Sequence, residues 1–546
     1  MYSDIAKPFE KKPPFGYSVC WGAVSMGFYV NPGNDRFGFS VSSEIYVDKT
    51  MLLAELNKRL FTEGRFICVS RPRRFGKTMA EAMMAAYYSV GCDSADLFLN
   101  TKIASDPSFA KHLNKYNVLH IDVNRFWSQY GGDAISRMHE MVRDDFAEAF
   151  PEMSFKDDWE IPNCVMEVFK RTKTPFIVIF DEYDVLFRDE RVPSGLLDSY
   201  LRFLNVLFKS SDVSTCIALA YITGILPIIR EKAQSKLNNF KEITFLNPGR
   251  FAQFTGFTEE EVRSLCDRYS MDFNECRSWY DGYRIRGLDI YAPRSVVCAM
   301  EEESFKPYWN QTSSFRAVRD VIALDFDGMR RDVERMISGE SVPLNVTRFE
   351  NDPFRISSRD DVFTYLCHLG YLAYSAEEET CRIPNREVRG EWVNAIEDLP
   401  DYSNVLSMIR VSKSLLESVW SGDASAVAVA LEKTHEKLTS PLSYNNEKSF
   451  QSAIRLAFLY ADSYYTLVLE YPSGRGYADI AFIPYKPNIP AMVVELKVEG
   501  TSDTALDQIR EKRYFAGLDK YEGNTLLVGV SYDKNTKRHE CRIDRA

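Results

Sequence analysis

The sequence of 546 residues has no run of about 18 uninterrupted apolar residues, so nothing in it reads as a membrane-spanning helix. Its first residues, Met1 to Pro14, carry Asp4, Lys7, Glu10, Lys11 and Lys12 where a secretory leader needs an apolar stretch. We expect no membrane partner and a cytoplasmic location. Cysteine is present but unpatterned, 11 residues with no C-x-x-C pair, which argues against a disulfide framework or a cysteine-rich zinc site and for a reducing compartment. Six dispersed histidines offer no alternative chemistry, and His539 reads as a tail residue. Internal repeats and low-complexity tracts are absent. Excess positive charge is missing too: the net charge of -11 excludes a protein coated in nucleic-acid-binding surface but leaves room for a local basic groove.

What is there is ordinary globular composition, 45% hydrophobic and 27% charged, over a length that fits roughly three to four domains. Residues 1–45, with Pro8, Pro13, Pro14 and Pro32, read as an irregular lead-in. Met51 to Phe61 places Leu52, Leu53, Leu56 and Leu60 at helical spacing. Phe66–Ser70 then reads as a buried strand and Val118–Val123 as a second. Phe176–Phe180 is a third, running into Asp181, Glu182 and Asp184, and Cys216–Ile222 a fourth, ending at Thr223-Gly224. An amphipathic helix is expected over Ala134–Phe150. Strands alternating with helices predict a parallel, doubly wound α/β sheet over residues 46–257 with its ligand at the carboxyl edge. Thr258 and Glu261 form a capping box that opens a helical lid or linker over 258–440, broken at Pro343, Pro353, Pro384 and Pro400. Ser440 to Ser443 marks a boundary, and the last segment, 441–546, carries basic and acidic residues in equal number.

The turn after Phe66–Ser70 closes on Gly76-Lys77-Thr78, the end of a G-x-x-x-x-G-K-[ST] loop. Loop N–H groups and the start of the helix that follows, Met79–Tyr88, would converge on phosphate oxygens. Lys77 would reach the β and γ phosphates of ATP, and Thr78 would hold Mg²⁺. Arg71 stands where the first glycine is expected. Asp181 is the candidate for the Mg²⁺ carboxylate, Glu182 for the base that polarises water, and Thr223 for a polar sensor at the tip of the following strand. Arg73 and Arg74 either touch phosphates or pair with surface acids. Arg250 and Arg294 lie in turn-like surroundings from which an arginine finger could project, and neither is assigned one. Taken singly, each acid is equally a solvated residue of a strand-to-helix turn; in chain order on successive strands they specify a nucleotide site.

Four separated stretches carry a resemblance: Tyr46-Val47-Asp48-Lys49-Thr50, Ser70 to Thr78, Trp279-Tyr280-Asp281-Gly282-Tyr283, and Ile383-Pro384-Asn385-Arg386-Glu387-Val388. Together they resemble the bacterial AAA-ATPase-like family whose members end in a PD-(D/E)XK nuclease-like domain. The resemblance runs from about residue 40 to the C-terminus. It implies a P-loop NTPase parallel sheet with a helical lid, followed by an α/β restriction-endonuclease-like domain, with ATP and Mg²⁺ as cofactors and nucleic acid, DNA or RNA, as partner. In that family arginine stands where the first glycine of the loop would, as Arg71 does here.

The last segment supplies what such a nuclease core needs. In Val493–Val498 a period of two puts Glu495 and Lys497 on one face of a strand and Val494, Leu496 and Val498 on the other. Asp479 sits in the otherwise apolar stretch Gly476–Phe482, where a carboxylate is costly unless a cation or donor meets it. Asp479 and Glu495 would ligate Mg²⁺ or Mn²⁺, with Lys497 orienting water or steadying charge on the scissile phosphate. Glu447 shares a helical face with Phe450, Ile454 and Phe458 and could complete the metal shell, which the resemblance supports. Gln508, expected to begin a later helix, is assigned by the resemblance to the active face. Two other functions stay open: an NTP-controlled scaffold whose C-terminal fold binds without cutting, and an ATPase acting on a protein partner. A homo-oligomer is one of the possible assemblies.

Overall fold

Why the strands of the first half read as unbroken apolar runs follows from their surroundings. β1 (Phe66–Ser70), β2 (Asn117–Asp122), β3 (Phe176–Asp181), β4 (Ile217–Gly224) and β5 (Lys241–Ile243) pair in parallel in the order β2-β3-β4-β1-β5. Helices cover both faces, so both sides of the inner strands are buried. On one side lie the helices Ala134–Ala149, Ile161–Thr172 and Ser194–Lys209; on the other lie Met51–Asn57 and Lys77–Tyr88. These statements come from a computed structural model that describes residues 27–546 except 229–236, 255, 310–315, 327, 398, 400–401, 439–449, 452–453, 455–456, 485–487, 499 and 522.

Two local expectations are corrected. The helix expected to reach Phe61 ends at Asn57, because the chain must turn into β1: Phe61 takes φ 61° and donates its N–H to Ala218 O at 3.1 Å. The lead-in is not wholly irregular, since Asp35–Val41 is a helix. Just before it, the Asp145 carboxylate accepts the backbone N–H groups of Phe28, Tyr29 and Val30 at 2.9, 2.8 and 2.7 Å. In the sheet the acid-tipped strand β3 does not neighbour β1; β4 lies between them.

The span expected to be helical also contains two small sheets, β6-β8-β7 (β6 Phe257–Thr258, β7 Tyr283–Ile285, β8 Leu288–Tyr291) and β10-β11-β9 (β9 Val342–Pro343, β10 Ala373–Ser375, β11 Thr380–Arg382). Strands of two to four residues are too short to show a period of two in sequence. The capping box at Thr258 forms, with Thr258 N–H donating to Glu261 Oε2 at 2.8 Å. Two of the resembling stretches meet here: Asn385 Nδ2 donates to Asp281 O at 2.8 Å, and Gly282, at φ 119°, lies where a Cβ would collide with the Pro384 carbonyl. The core of this section, built on Val362, Phe363, Leu366, Trp392 and their neighbours, takes in Phe75 from the loop after β1. Phe75 meets Phe245 and Tyr283 edge-on at 5.1 and 5.5 Å.

The C-terminal sheet runs β12-β13-β14-β15-β16 (β12 Tyr465–Ser473, β13 Gly476–Pro484, β14 Ala491–Val498, β15 Thr525–Asp533, β16 Arg538–Arg545). Only β14 and β15 are parallel, and the crossover between them carries the helix Ser502–Lys512. The alternation expected for β14 is realised. Met492, Val494 and Leu496 face one core with Phe450, Ile454 and Phe458, while Ala491 and Val493 face the other with Leu506 and Ile509.

Candidate functional site

β1 delivers the chain into a loop whose left-handed backbone positions are Arg74, at φ 70°, and Gly76, at φ 79°; Arg71 is not among them. Arg71 instead extends the ladder, its N–H donating to Gly224 O at 3.0 Å, and turns its side chain inward toward Thr244 O at 3.4 Å. Burial pushes that guanidinium down to about 9. A side chain is therefore tolerated where a glycine is expected, because the strained turn falls elsewhere. Lys77 opens the helix and donates to Arg71 O at 3.0 Å. Desolvation lowers its pKa, while Asp184, Glu182 and Asp181 push it back up.

Thr78, Asp181, Glu182 and Thr223 come together at the carboxyl edge. Thr78 Oγ1 donates to Asp181 Oδ2 at 3.1 Å, and Glu182 N–H donates to Asp181 Oδ1 at 2.9 Å. Since β4 lies between β1 and β3, its Thr223 hydroxyl sits between the β3 acid and the helix that follows the loop, 2.9 Å from Asp181 Oδ1 and 2.6 Å from Glu81 Oε1. Glu182, at φ 48°, is paired with Arg188 at 3.3 Å, and Arg188 also holds Asp184 at 2.7 Å. The two loop arginines part ways. Arg73 is exposed and lines, with Glu182, Arg188 and Trp127, an open cleft of about 700 Å³. Arg74 turns away from the loop to donate to Trp309 O and lie 5.4 Å over the Trp309 ring.

At the second site Asp479 Oδ2 accepts the Leu496 N–H at 2.7 Å. Glu495, 3% exposed, accepts from Lys497 Nζ at 3.3 Å and from Gln508 Nε2 through Oε1, and among the described residues its buried Oε2 has no hydrogen-bond partner. Burial first, and the charge of Asp479 second, push the Glu495 carboxyl up to about 7. Paired carboxylates with an unsatisfied buried oxygen are an oxygen donor set that suits a hard divalent cation. Gln508 does not begin its helix, which starts at Ser502; it reaches Glu495 from the second turn and also lies 3.3 Å from Tyr514 OH. Glu447 lies outside the described residues, and among those described no group of three or more His, Cys, Asp or Glu is gathered as a metal shell. His539 is no loose tail residue: it is 5% exposed on β16, against Phe450 and Tyr532.

Residues 39–233 match the model of the AAA-ATPase-like family, described as "Predicted AAA-ATPase", and residues 445–541 match that of the PD-(D/E)XK nuclease superfamily. The chain joins an AAA-ATPase-like domain to a PD-(D/E)XK nuclease-superfamily domain. A curated relative, "Uncharacterized protein in vnfD 5'region" of Azotobacter chroococcum mcd 1, is 23% identical over 284 residues, 51% of this chain and 52% of the relative. The chain thus spans about half the length of the curated relative it matches. Among solved structures, the ORC2 protein of Aeropyrum pernix in its ADPNP–ADP complexes overlaps 65% of this chain and 97% of its own at 13% identity and TM-score 0.32. Cdc6p of Pyrobaculum aerophilum overlaps 66% and 98% at 11% identity and TM-score 0.27. Overlaps this loose say nothing about function.

The sequence pattern did not single out three side chains of the AAA-ATPase-like domain. Glu81, fully buried, follows Thr78 by three residues and so shares its helix face, a spacing that could have flagged it. His120 Nε2 lies 3.4 Å from Glu81 Oε2, and burial pushes its pKa down to about 4. Arg188 follows Asp184 by four residues, the ordinary helical ion-pair spacing. Asp184 itself is structural as well as acidic, accepting the N–H groups of Ile225 and Leu226 at 3.0 and 2.8 Å. Among the described residues no helix is long and apolar enough to cross a membrane.

Proposed function

We propose that this chain hydrolyses ATP in its first half and uses the C-terminal domain for metal-dependent cleavage of nucleic acid. The observation that carries the reading is the Asp479–Glu495–Lys497–Gln508 cluster, in which the buried Glu495 Oε2 has no hydrogen-bond partner among the described residues. Mg²⁺ at either site, or Mn²⁺ at the second, would supply charge stabilisation at phosphate oxygens. In the first half, Thr78 and Asp181 would hold the ion and Lys77 the phosphates. Thr223 orients the Asp181 carboxylate from the side opposite Thr78. Glu182 would accept the proton of the attacking water, and its ion pair with Arg188 fixes where that carboxylate points. Arg73 faces the open cleft beside Glu182 and is the loop arginine available to a phosphate, whereas Arg74 serves the junction with Trp309.

In the second half, Asp479 and Glu495 would be the cation ligands, and Gln508 and Lys497 hold the Glu495 carboxylate in place. Lys497 Nζ would also neutralise charge building on the scissile phosphate. The partner is DNA or RNA, the site of action the cytoplasm, and a homo-oligomer one possible working assembly. The test is cleavage of plasmid DNA and of RNA with Mg²⁺ or Mn²⁺ by the parent and by Asp479→Ala, Glu495→Ala and Lys497→Ala. Each variant is expected to lose at least about 100-fold in rate, since one electrostatic contact to a transition state contributes about 3 kcal/mol, while ATP hydrolysis persists. No cleavage by the parent with either metal, with ATPase activity intact, would leave the C-terminal domain as a binding module.

A further inference from the structure

The edge of the C-terminal sheet beside Asp479 has a composition that neither proposed catalytic role uses. The tip of the β12–β13 hairpin, Ser473-Gly474-Arg475-Gly476, is seated on the end of the helix Ser502–Lys512. Arg475 N–H donates to Lys512 O at 2.7 Å, and Gly474, at φ 59°, comes so close that a Cβ would collide with the carbonyls of Lys512 and Arg513. Arg513 caps the helix in the left-handed region at φ 53°. Arg475, Lys512 and Arg513 are thereby brought into one neighbourhood by their backbones, and all three are exposed.

None of these three side chains has an ion pair or hydrogen bond among the described residues, unlike their neighbour Arg510, which pairs with Asp544. They outnumber the single acid of that run, Glu511. Tyr477 follows on β13, 63% exposed and likewise without a side-chain partner. Gly476, beside Tyr514, and Ala478, packed with Leu506 and Ile509, face the helix Ser502–Lys512, so Tyr477 between them points to the other side of the hairpin, and a strand reaching it from Lys512 and Arg513 crosses the hairpin tip at Arg475. Tyr514, next to Arg513, ties the edge to the metal ligands: its ring lies by Gly476 and its hydroxyl by Gln508, which holds Glu495.

We infer that this edge is a docking track for an unpaired nucleic-acid strand, with Tyr477 stacking on a base and Arg475, Lys512 and Arg513 following the backbone phosphates toward Asp479 and Glu495. An exposed aromatic flanked by unpaired cations is what a single strand needs, because every base has a face to stack on and every linkage a charge to neutralise. A duplex keeps its bases stacked inside and has no use for Tyr477. The inference deepens the proposed nuclease reading and rests on it for the role of Asp479 and Glu495. Since none of the four side chains holds the fold together through an ion pair or hydrogen bond, substitutions there should leave the protein folded.

The test measures binding by fluorescence anisotropy in EDTA, so that no cleavage intervenes, with a labelled DNA strand, the same sequence as RNA, and its DNA duplex. The full-length parent is compared with Tyr477→Ser and with the triple variant Arg475→Gln, Lys512→Gln, Arg513→Gln. The parent is expected to bind either single strand at least about tenfold more tightly than the duplex. Tyr477→Ser should weaken the single strands about tenfold and the duplex less than twofold. The triple variant should weaken both and flatten the slope of log affinity against log salt by about two for single strands. Unchanged single-strand affinity in Tyr477→Ser, or tighter binding of duplex by the parent, overturns the inference. If the parent cleaves nucleic acid while Tyr477→Ser binds normally, the docking track falls and the nuclease reading stands. If Tyr477-dependent strand binding is found without cleavage, the track stands and the cleavage reading falls; if the parent binds no nucleic acid, both fall.

Discussion

Glu387 should be one of the costliest side chains to remove, and its removal should change how stability depends on pH. It is 1% exposed; one carboxylate oxygen accepts the N–H groups of Tyr308 and Trp309, each at 2.7 Å, and the other accepts the Ser295 hydroxyl at 2.8 Å. Truncation to alanine leaves three buried donors without an acceptor, at about 1–3 kcal/mol each, so Glu387→Ala should lose more than about 3 kcal/mol. Glu387→Gln keeps an oxygen for the two backbone donors and should lose about 1 kcal/mol. The pH dependence has a definite sign. Burial outweighs those hydrogen bonds and the nearby charge of Arg74, lifting the Glu387 pKa to about 7, while an unfolded glutamate titrates near about 4.3. Between those values the folded chain holds a proton that the unfolded chain has released, so stability falls as pH rises through the window. The slope is about 1.4 kcal/mol per pH unit for one such group. Glu391, 2% exposed and also lifted to about 7 chiefly by burial, adds a slope of its own. Urea unfolding followed by tryptophan fluorescence, sensitive to the buried Trp309 and Trp392, should show stability changing less steeply with pH in Glu387→Gln than in the parent, the two slopes differing by up to about 1.4 kcal/mol per pH unit between about pH 5 and 7. An unchanged slope in Glu387→Gln, or a cost below about 1 kcal/mol for Glu387→Ala, would refute the reasoning.

Lys77→Ala should abolish ATP-analogue binding in a calorimeter, while Glu182→Gln binds as the parent does and fails to hydrolyse. Equal affinity in Lys77→Ala would mean that the loop is not a phosphate cradle. Thr223→Val preserves shape but leaves Asp181 Oδ1 and Glu81 Oε1 without the hydroxyl between them. It should cost about 1–3 kcal/mol in unfolding and lower the ATPase rate, and a variant as stable and active as the parent would rule out that bridge. Gly474→Ala combines a left-handed φ with a collision at the Lys512 and Arg513 carbonyls. Its melting temperature should fall by several degrees, which differential scanning fluorimetry would register.

How much of this could be read from residues alone differs from site to site for physical reasons. Local rules of period and spacing determined the buried strands that became β1 to β4, the helix after Gly76, the Thr258 capping box, and the pairing of Glu495 with Lys497 on one face of β14. Each depends on neighbours within a few residues, so the sequence carries it directly. The order of the strands does not, because pairing joins residues dozens to well over a hundred positions apart. Only the tertiary structure put β4 between β1 and β3 and so placed the Thr223 hydroxyl between Asp181 and Glu81. The same holds for Arg73 and Arg74. As adjacent residues they are indistinguishable in sequence, and they separate only because Arg74 takes a left-handed φ and meets Trp309, some two hundred residues away, while Arg73 stays in solvent. Arg71 is the sharpest case. Sequence could mark it as a residue in a glycine's place, but only the packed loop shows that the strain fell on Arg74 and Gly76, leaving its side chain to be buried against Thr244.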